Sequence, residues 1–210
     1  MANLYPLYLN IKDKKCLVIG GGKVAQRKVE SLIDCEADVV VVSPVLTSYL
    51  KEIVENNRII YRKKEYSPED LKDVFLVICA TDSETVNAKA AEECMHRGIL
   101  VNVIDDPEKC SALVPAVIRR GSMAISISTG GKSPYVSRKI REKLESQFGN
   151  EYERYLDILG DIRREALIKE PDPAKRKEMF RSLVDSDLLD LIRAGNNEGV
   201  KERIAQCISW

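Results

Sequence analysis

CLVIGGGKVA, residues 16–25, is the stretch on which the reading of this chain turns. Leu17, Val18 and Ile19 make a short unbroken apolar run, as expected of a parallel strand covered on both faces. Gly20, Gly21 and Gly22 follow at once, and a helical pattern begins at Lys23. Gly20, Gly22 and Ala25 stand on the G-x-G-x-x-A spacing that joins strand to helix at a dinucleotide site. At Gly20 the missing side chain permits the sharp turn, and at Gly22 it lets backbone approach a pyrophosphate. The small Ala25 lets helix lie on sheet. The free N–H groups and positive dipole end of the helix then face the anion. A glycine-rich turn alone is often only a turn, but here a second strand, Val39–Val42, follows about twenty residues on, as such a site requires.

The end of that second strand reads Val42-Ser43-Pro44, where the usual fingerprint has an Asp or Glu for the ribose hydroxyls. Ser43 can hydrogen-bond a hydroxyl but carries no charge to repel a 2′-phosphate. From the residues alone, NAD and NADP both stay open.

A length of 210 residues allows one or two domains with an ample core. Lysine plus arginine equals aspartate plus glutamate, at 33 each, which argues against a nucleic-acid partner. No apolar run approaches the ~20 residues that span a bilayer, and MANLYPLYLN lacks the charged and apolar regions of a signal peptide. A cytoplasmic protein with no membrane partner is expected. Six cysteines, at 16, 35, 79, 94, 110 and 207, form no C-x-x-C pair and read as buried free thiols. His96 is the single histidine, so a zinc site or a His-based triad has little to work with, and no metal ligands are assigned.

Taken in order, Leu4–Ile11 alternates loosely and suggests an edge strand, with Pro6 against a central place. Val24–Asp34 reads as a helix with Val24, Lys28, Leu32 and Ile33 near one face. Leu46–Val54 reads as a second helix, and Arg58–Tyr61 as a third strand. Ser67-Pro68-Glu69-Asp70 is a helix-start signal. Val74–Cys79 is strand-like, Glu84–Arg97 helical with Gly98 as its stop, and Leu100–Ile104 a further strand. This alternation gives an open parallel sheet over about residues 1–113. Right-handed crossovers bring the ends of its strands to one edge, so Gly20–Ala25, Ser43, Thr81, Asp82 and Asp105 are expected around one crevice.

After Cys110 the composition changes. Met123–Ser128 reads as a half-buried strand, then comes Thr129-Gly130-Gly131-Lys132-Ser133-Pro134 and a helix from Tyr135 to about Phe148. Ser133 suits the N-cap and Pro134 the first helical position, which makes a second helix-terminus anion site. Arg119, Arg120, Lys132, Arg138, Lys139, Arg141 and Lys143 lie nearby, opposed up to Lys143 only by Glu142. A solvated helix face accounts for Arg138–Lys143 equally well. From Asn150 onward the pattern is helical and polar, and packing or partner contact is its default role.

GGGKVAQRK (20–28), ATDSETVN (80–87), NVIDDPEKCS (102–111) and STGGKSP (128–134) occur in this order, with Pro115-Ala116 between the last two. Together they resemble the precorrin-2 dehydrogenases, the stand-alone form of the N-terminal half of sirohaem synthase. The likeness is strong over about residues 4–150 and looser in the helical tail. It implies an α/β fold: a Rossmann-like doubly wound, mostly parallel sheet (1–113), a small mixed dimerisation and substrate-cleft segment (114–149) and an all-helical C-terminal domain (150–210). It implies NAD-dependent oxidation of the tetrapyrrole precorrin-2 to sirohydrochlorin in sirohaem biosynthesis by a homodimer. Some members also insert ferrous iron into the product. The methyltransferase half of fused members is expected to be missing, since the chain ends at Trp210.

Carried across motif by motif, the nucleotide contacts fall on Gly22, Lys23, Val24, Ser43, Pro44, Thr81 and Asp82, beside Gly20 and Ala25 of the glycine fingerprint. Members use NAD with a small or polar residue after the second strand. Asp105 corresponds to the family's essential carboxylate, with Asp106 an extra acid beside it. Thr129 stands where a fused member has serine. Oxidising precorrin-2 removes a hydride and a proton, so a base is needed, and Asp105 is the acid the sequence marks for it. The plain alternative is that Asp105 caps a turn before Pro107. The substrate carries many carboxylates, which suits Thr129, Gly130, Gly131, Lys132 and Ser133. The competing reading is a dinucleotide-sensing regulatory module without catalysis, which would need a glycine turn but neither Asp105 nor the basic glycine loop.

Overall fold

Alternate residues of the apolar strands face opposite ways, and each set finds its own cover. In a computed structural model, which describes residues 4–208, Cys16, Val18, Val39 and Val41 are buried in one cluster with Ala25, Val29, Leu32 and Leu50. Leu17, Ile19, Val40 and Val42 are buried in another with Leu71, Ala90, Ala91 and Cys94. Both faces of the sheet are therefore dry, which explains why its strands read as continuous apolar runs. Met1, Ala2, Asn3, Ser209 and Trp210, including the start of the N-terminal stretch and the end of the chain, lie outside the described residues.

The sheet holds β1 (Lys15–Ile19), β2 (Asp38–Val42), β3 (Ile60–Arg62), β4 (Leu76–Cys79) and β5 (Leu100–Val103) in the order β3-β2-β1-β4-β5. Every pairing is parallel, with Ile19 opposite both Val42 and Cys79, so the carboxyl ends share one rim. α1 (Lys23–Ile33) and α2 (Ser48–Glu55) connect the first strands, and α3 (Glu84–His96) connects β4 to β5. This is the expected Rossmann-like fold.

Several local expectations are corrected. Leu4–Ile11 forms no strand. The buried face of α1 is Ala25, Val29 and Leu32, with Ile33 partly buried beside them, rather than Val24, Lys28, Leu32 and Ile33, because Val24 is turned to the cleft at the rim. The third strand starts two residues later and ends one residue later than its apolar pattern suggests. The helix-start signal at Ser67 yields a single 3-10 turn, Pro68–Leu71, locked by a capping box between Ser67 and Asp70.

One compact unit runs through Val114 and a second starts at Pro115, so residues 114–149 and the later helices share the second unit apart from Val114 itself. The second unit opens with an antiparallel hairpin of β6 (Ala116–Arg120) and β7 (Met123–Ile127). The sequence reading missed β6. Its signal was Gly121-Ser122, a two-residue turn with Gly121 at φ 54°, which joins Arg120 to its partner Met123. α4 (Pro134–Glu145) follows. α5 (Glu151–Lys169), α6 (Pro173–Asp185), α7 (Leu188–Arg193) and α8 (Asn197–Cys207) bury Tyr155, Ile162, Ala166, Met179, Leu183, Leu188, Ile192 and Val200 in a core of their own.

All six cysteines are free thiols. Cys16, Cys79 and Cys94 are buried, and burial pushes them up to about 11, 12 and 11. Among the described residues no helix is long and apolar enough to cross a membrane.

Candidate functional site

Beyond the carboxyl ends of β1, β2 and β4 lies a cleft of about 670 Å³, lined by residues 19–24, 42–47, 65–66, 80–83 and Val86. The three glycines at its head answer to different constraints. Gly20 has φ 125°, and a Cβ there would lie 2.3 Å from the Ala80 carbonyl oxygen, so both backbone and space demand glycine. A Cβ on Gly21 would lie 2.0 Å from the Val45 carbonyl oxygen, so the loop after β2 rests directly on it. Gly22 is exposed, and a Cβ there would meet nothing within 4 Å. No steric contact in the folded chain demands glycine at position 22, and its bare backbone leaves room for a ligand to approach.

Gly22 is also the N-cap of α1 and supplies no capping side chain. The first N–H groups of α1 therefore face the cleft without an intrahelical partner, at the positive end of an eleven-residue helix. Lys23, exposed in that first turn, makes no ion pair among the described residues and adds a cation. Helix end, open glycine and lysine have the geometry and charge that could hold a diphosphate, so the residues present fit a dinucleotide. Ala25 is fully buried under the helix, as the fingerprint requires.

Gly20, Gly22, Lys23, Val24, Ser43, Pro44, Thr81 and Asp82 all line this one cleft. Two of them spend their side chains on the fold. Ser43 Oγ donates to the Val45 carbonyl at 2.8 Å and accepts from the Val45 N–H at 3.4 Å. Thr81 Oγ1 is 2.9 Å from Oδ1 of the buried Asn87, whose amide nitrogen donates back to the Thr81 carbonyl at 2.9 Å. Asn87 thereby fixes the loop between β4 and α3, a role that the helical pattern gave no sign of.

Asp105 sits on the same rim, in the turn after β5, but outside the cleft lining. It is exposed and holds φ 62°, a left-handed conformation that Asp tolerates better than most residues. Its carboxylate acts on Lys28 of α1: burial, then Arg27, lowers the Lys28 pKa, and Asp105 pulls it back up. Asp106 is committed elsewhere. Its carboxylate pairs with Lys109, whose hydrogen bond holds it below the ordinary range. Cys110 completes the turn, its Sγ 3.1 Å from the Val103 nitrogen and 3.2 Å from the Asp106 carbonyl oxygen. This thiol, which the sequence reading placed only as a buried cysteine, braces the loop that carries Asp105.

In the second unit, Thr129 Oγ1 accepts from the Ser133 N–H at 3.0 Å and donates to the Ser133 carbonyl at 3.1 Å, closing the glycine loop on itself. Gly130 and Gly131 take φ 62° and 81° within it. Ser133 caps α4 by accepting from the Val136 N–H at 3.3 Å, with Pro134 at the first helical position. Lys132 is exposed and makes no ion pair among the described residues. The surrounding cations are less free than the sequence suggests. Arg138 and Lys139 both pair with Glu142, Arg141 pairs with Glu145 at 2.7 Å, and Arg120 donates to the Phe148 carbonyl at 2.9 Å. The helical period sets acids four residues from arginines, so that face is largely self-neutralised.

Sequence reasoning missed the far wall of the cleft, Glu65, Tyr66 and Val86, and the loop residues Val45 and Thr47. Val45 and Glu65 each stand three residues beyond a strand end, but which of the wall residues meet depends on strand order, which no local pattern shows.

A family model described as putative NAD(P)-binding matches residues 7–116. One described as the central part of sirohaem biosynthesis protein matches residues 120–147. A siroheme synthase of Photobacterium profundum is 33% identical over 199 residues, covering 95% of this chain and 42% of that protein. A siroheme synthase of Xylella fastidiosa is 36% identical over 191 residues, covering 90% of this chain and 40% of that protein. The chain thus spans well under half the length of the curated relatives it matches. A solved structure titled SirC, precorrin-2 dehydrogenase, superposes with a TM-score of 0.80 at 25% identity, covering 97% of this chain and 98% of that one.

Proposed function

Because the chain belongs to the putative NAD(P)-binding family, whose model spans residues 7–116, we propose that it binds NAD and dehydrogenates precorrin-2 to sirohydrochlorin in sirohaem biosynthesis. The observation that carries the nucleotide half is Gly22, open to solvent at a helix start that has no capping side chain, where a backbone with no Cβ leaves room for a ligand. The substrate half is supported by the siroheme synthases and the precorrin-2 dehydrogenase to which the chain is similar over nearly its whole length.

In this reading the N–H groups at the start of α1 and the Lys23 ammonium hold the pyrophosphate, while Gly20 and Ala25 keep turn and helix in place. Ser43, Pro44, Thr81 and Asp82 line the rest of the nucleotide cleft. When bound, the nicotinamide supplies a hydride acceptor. Asp105 takes the proton that leaves with the hydride. Asp106 does not share that task, since Lys109 already neutralises it. Thr129, Gly130, Gly131, Lys132 and Ser133 receive carboxylates of the macrocycle, with Lys132 the free charge and Thr129 the brace.

The chain acts in the cytoplasm as a homodimer, through residues 114–149. The hairpin of β6 and β7 forms a two-stranded sheet, and α4 exposes Tyr135, Val136 and Ile140, which favours a second copy as cover. Sedimentation at micromolar protein gives the mass that tests this.

Incubation with NAD and precorrin-2 tests the reaction directly. Sirohydrochlorin absorption should grow with protein and NAD together and with neither alone. Nucleotide binding with no product would instead favour a dinucleotide-sensing module. The same mixture given ferrous iron and sirohydrochlorin, without oxygen, measures metal insertion against the uncatalysed rate.

A further inference from the structure

The strand that ends the adenosine side of such a site lacks its acid, and Ser43, the residue in that place, has its hydroxyl bound at both lone pair and proton to Val45. The neighbouring strand supplies a replacement. β3 pairs with β2 so that Arg62 stands opposite Val42, and the Ser43 N–H donates to the Arg62 carbonyl at 3.3 Å. The chain leaving β3 thus runs beside the chain leaving β2, and Glu65 and Tyr66 line the same cleft as Ser43 and Pro44.

The charges on this wall are sorted. Asp70, buried to 1% exposure of its side chain, takes Arg62 at 2.7 Å and Lys64 at 2.8 Å. Lys64 also donates to Ser67 Oγ at 2.8 Å. Glu65, next after Lys64 in sequence, makes no hydrogen bond or ion pair among the described residues and is exposed. Its carboxylate is the uncommitted charge that this wall contributes to the cleft. Beside it the Tyr66 ring belongs to the core cluster under β4 and α3, its hydroxyl buried without a partner, and offers an apolar floor suited to a flat base.

Resting on the dinucleotide reading above, the geometry points to Glu65 as the residue that reads the adenosine ribose and selects NAD over NADP, from the loop after β3 rather than the end of β2. A carboxylate accepts hydrogen bonds from both hydroxyls of a vicinal diol and repels a 2′-phosphate by like charge. The acid has moved one strand outward, beside an Asp70 that already engages Arg62 and Lys64.

Calorimetric titration of the full chain with NAD and with NADP tests this without turnover. The wild type should prefer NAD. Glu65→Gln, at an exposed position, should fold normally, bind NAD about tenfold more weakly and lose most of its preference. Glu65→Lys should bind NADP at least as well as NAD. High salt should narrow the wild-type preference and leave that of Glu65→Gln unmoved. An NAD/NADP ratio in Glu65→Gln within twofold of wild type, or a wild type that prefers NADP, would overturn the assignment. Binding of neither nucleotide by the wild type would instead sink the dinucleotide reading beneath it.

Discussion

A side chain on Gly21 and the carbonyl of Val45 cannot occupy the same space: the Cβ would begin 2.0 Å from that oxygen, whereas next door at Gly22 it would meet nothing within 4 Å. The middle glycine is demanded by the fold; the third leaves open space, which the proposed nucleotide would use.

Gly21→Ala should therefore push the loop of residues 43–47 off the turn and cost about 1–3 kcal/mol of stability. Gly22→Ala should cost no more than about 1 kcal/mol, the loss of a favoured N-cap residue. It should nonetheless weaken NAD by about tenfold or more, a change of roughly 1.4 kcal/mol in binding. Thermal melts and calorimetry on the two variants make the comparison. A Gly22→Ala protein that binds NAD like the wild type would show that the open face of that glycine is not where the nucleotide approaches.

The fold was legible because the sheet is buried on both sides. Runs such as Leu17–Ile19 and Val39–Val42 then carry an unbroken apolar signal, and glycines punctuate the turns. The cleft was half legible for a related reason. Residues one to three places beyond a strand end, such as Gly22, Ser43 and Thr81, follow from strand position alone. Glu65 and Tyr66 depend on which strand lies beside β2, and strand order is not written in any local pattern. β6 was lost because Val117-Ile118 followed by Arg119-Arg120 mimics no period strongly. Hydrogen bonds that use up a side chain, as in Ser43 to Val45 and Thr81 to Asn87, connect residues whose types promise several partners equally well.

Asp105 separates charge from backbone shape. Its φ of 62° is one that Asn adopts at least as readily as Asp, while Ala resists it. Asp105→Asn should melt near the wild-type temperature, and Asp105→Ala should lose about 1 kcal/mol through backbone strain. If the carboxylate is the proton acceptor, both should lose roughly 10²- to 10⁴-fold in turnover at saturating NAD. Turnover near normal in Asp105→Asn would leave the residue as a turn former only.

Asp70 sets an acid limit on the wall that carries Glu65. Burial alone would push its carboxyl up, but hydrogen bonds from Lys64, the Ser67 N–H and Arg62 outweigh that and hold it below its ordinary value of 3.8. A depressed carboxylate contributes stability above its unfolded pKa and loses it as pH falls through the lower folded value. Its share should hold steady from neutral pH to about pH 5, then fade below about pH 4. Asp70→Asn should remove that fading and cost about 1–3 kcal/mol at neutral pH, since half-exposed Arg62 and Lys64 and the Ser67 N–H all lose a buried charged acceptor. Denaturant melts of both proteins across pH 3–7 read the difference, and parallel curves would mean the ion cluster carries no net stability.

Lys132 lies exposed in a loop that Thr129 and two left-handed glycines hold in shape without it, so its removal should leave the loop intact. The α4 arginines are largely neutralised by Glu142 and Glu145, which leaves Lys132 as a charge still available to an anionic macrocycle. An exposed charge near a helix start is worth roughly 0.3–1 kcal/mol to such a partner at low salt and less when screened. Lys132→Ala should thus weaken tetrapyrrole binding about two- to fivefold at low ionic strength, converge on wild type at high salt, and leave NAD affinity unchanged. Thr129→Ala should act differently. It removes the two bonds to Ser133, so its loss of substrate affinity should persist at high salt and be relieved by Thr129→Ser, which keeps the hydroxyl. Fluorescence titration with the tetrapyrrole at two salt concentrations distinguishes the charge from the brace, and a salt-independent defect in Lys132→Ala would show that the lysine acts through the loop's shape after all.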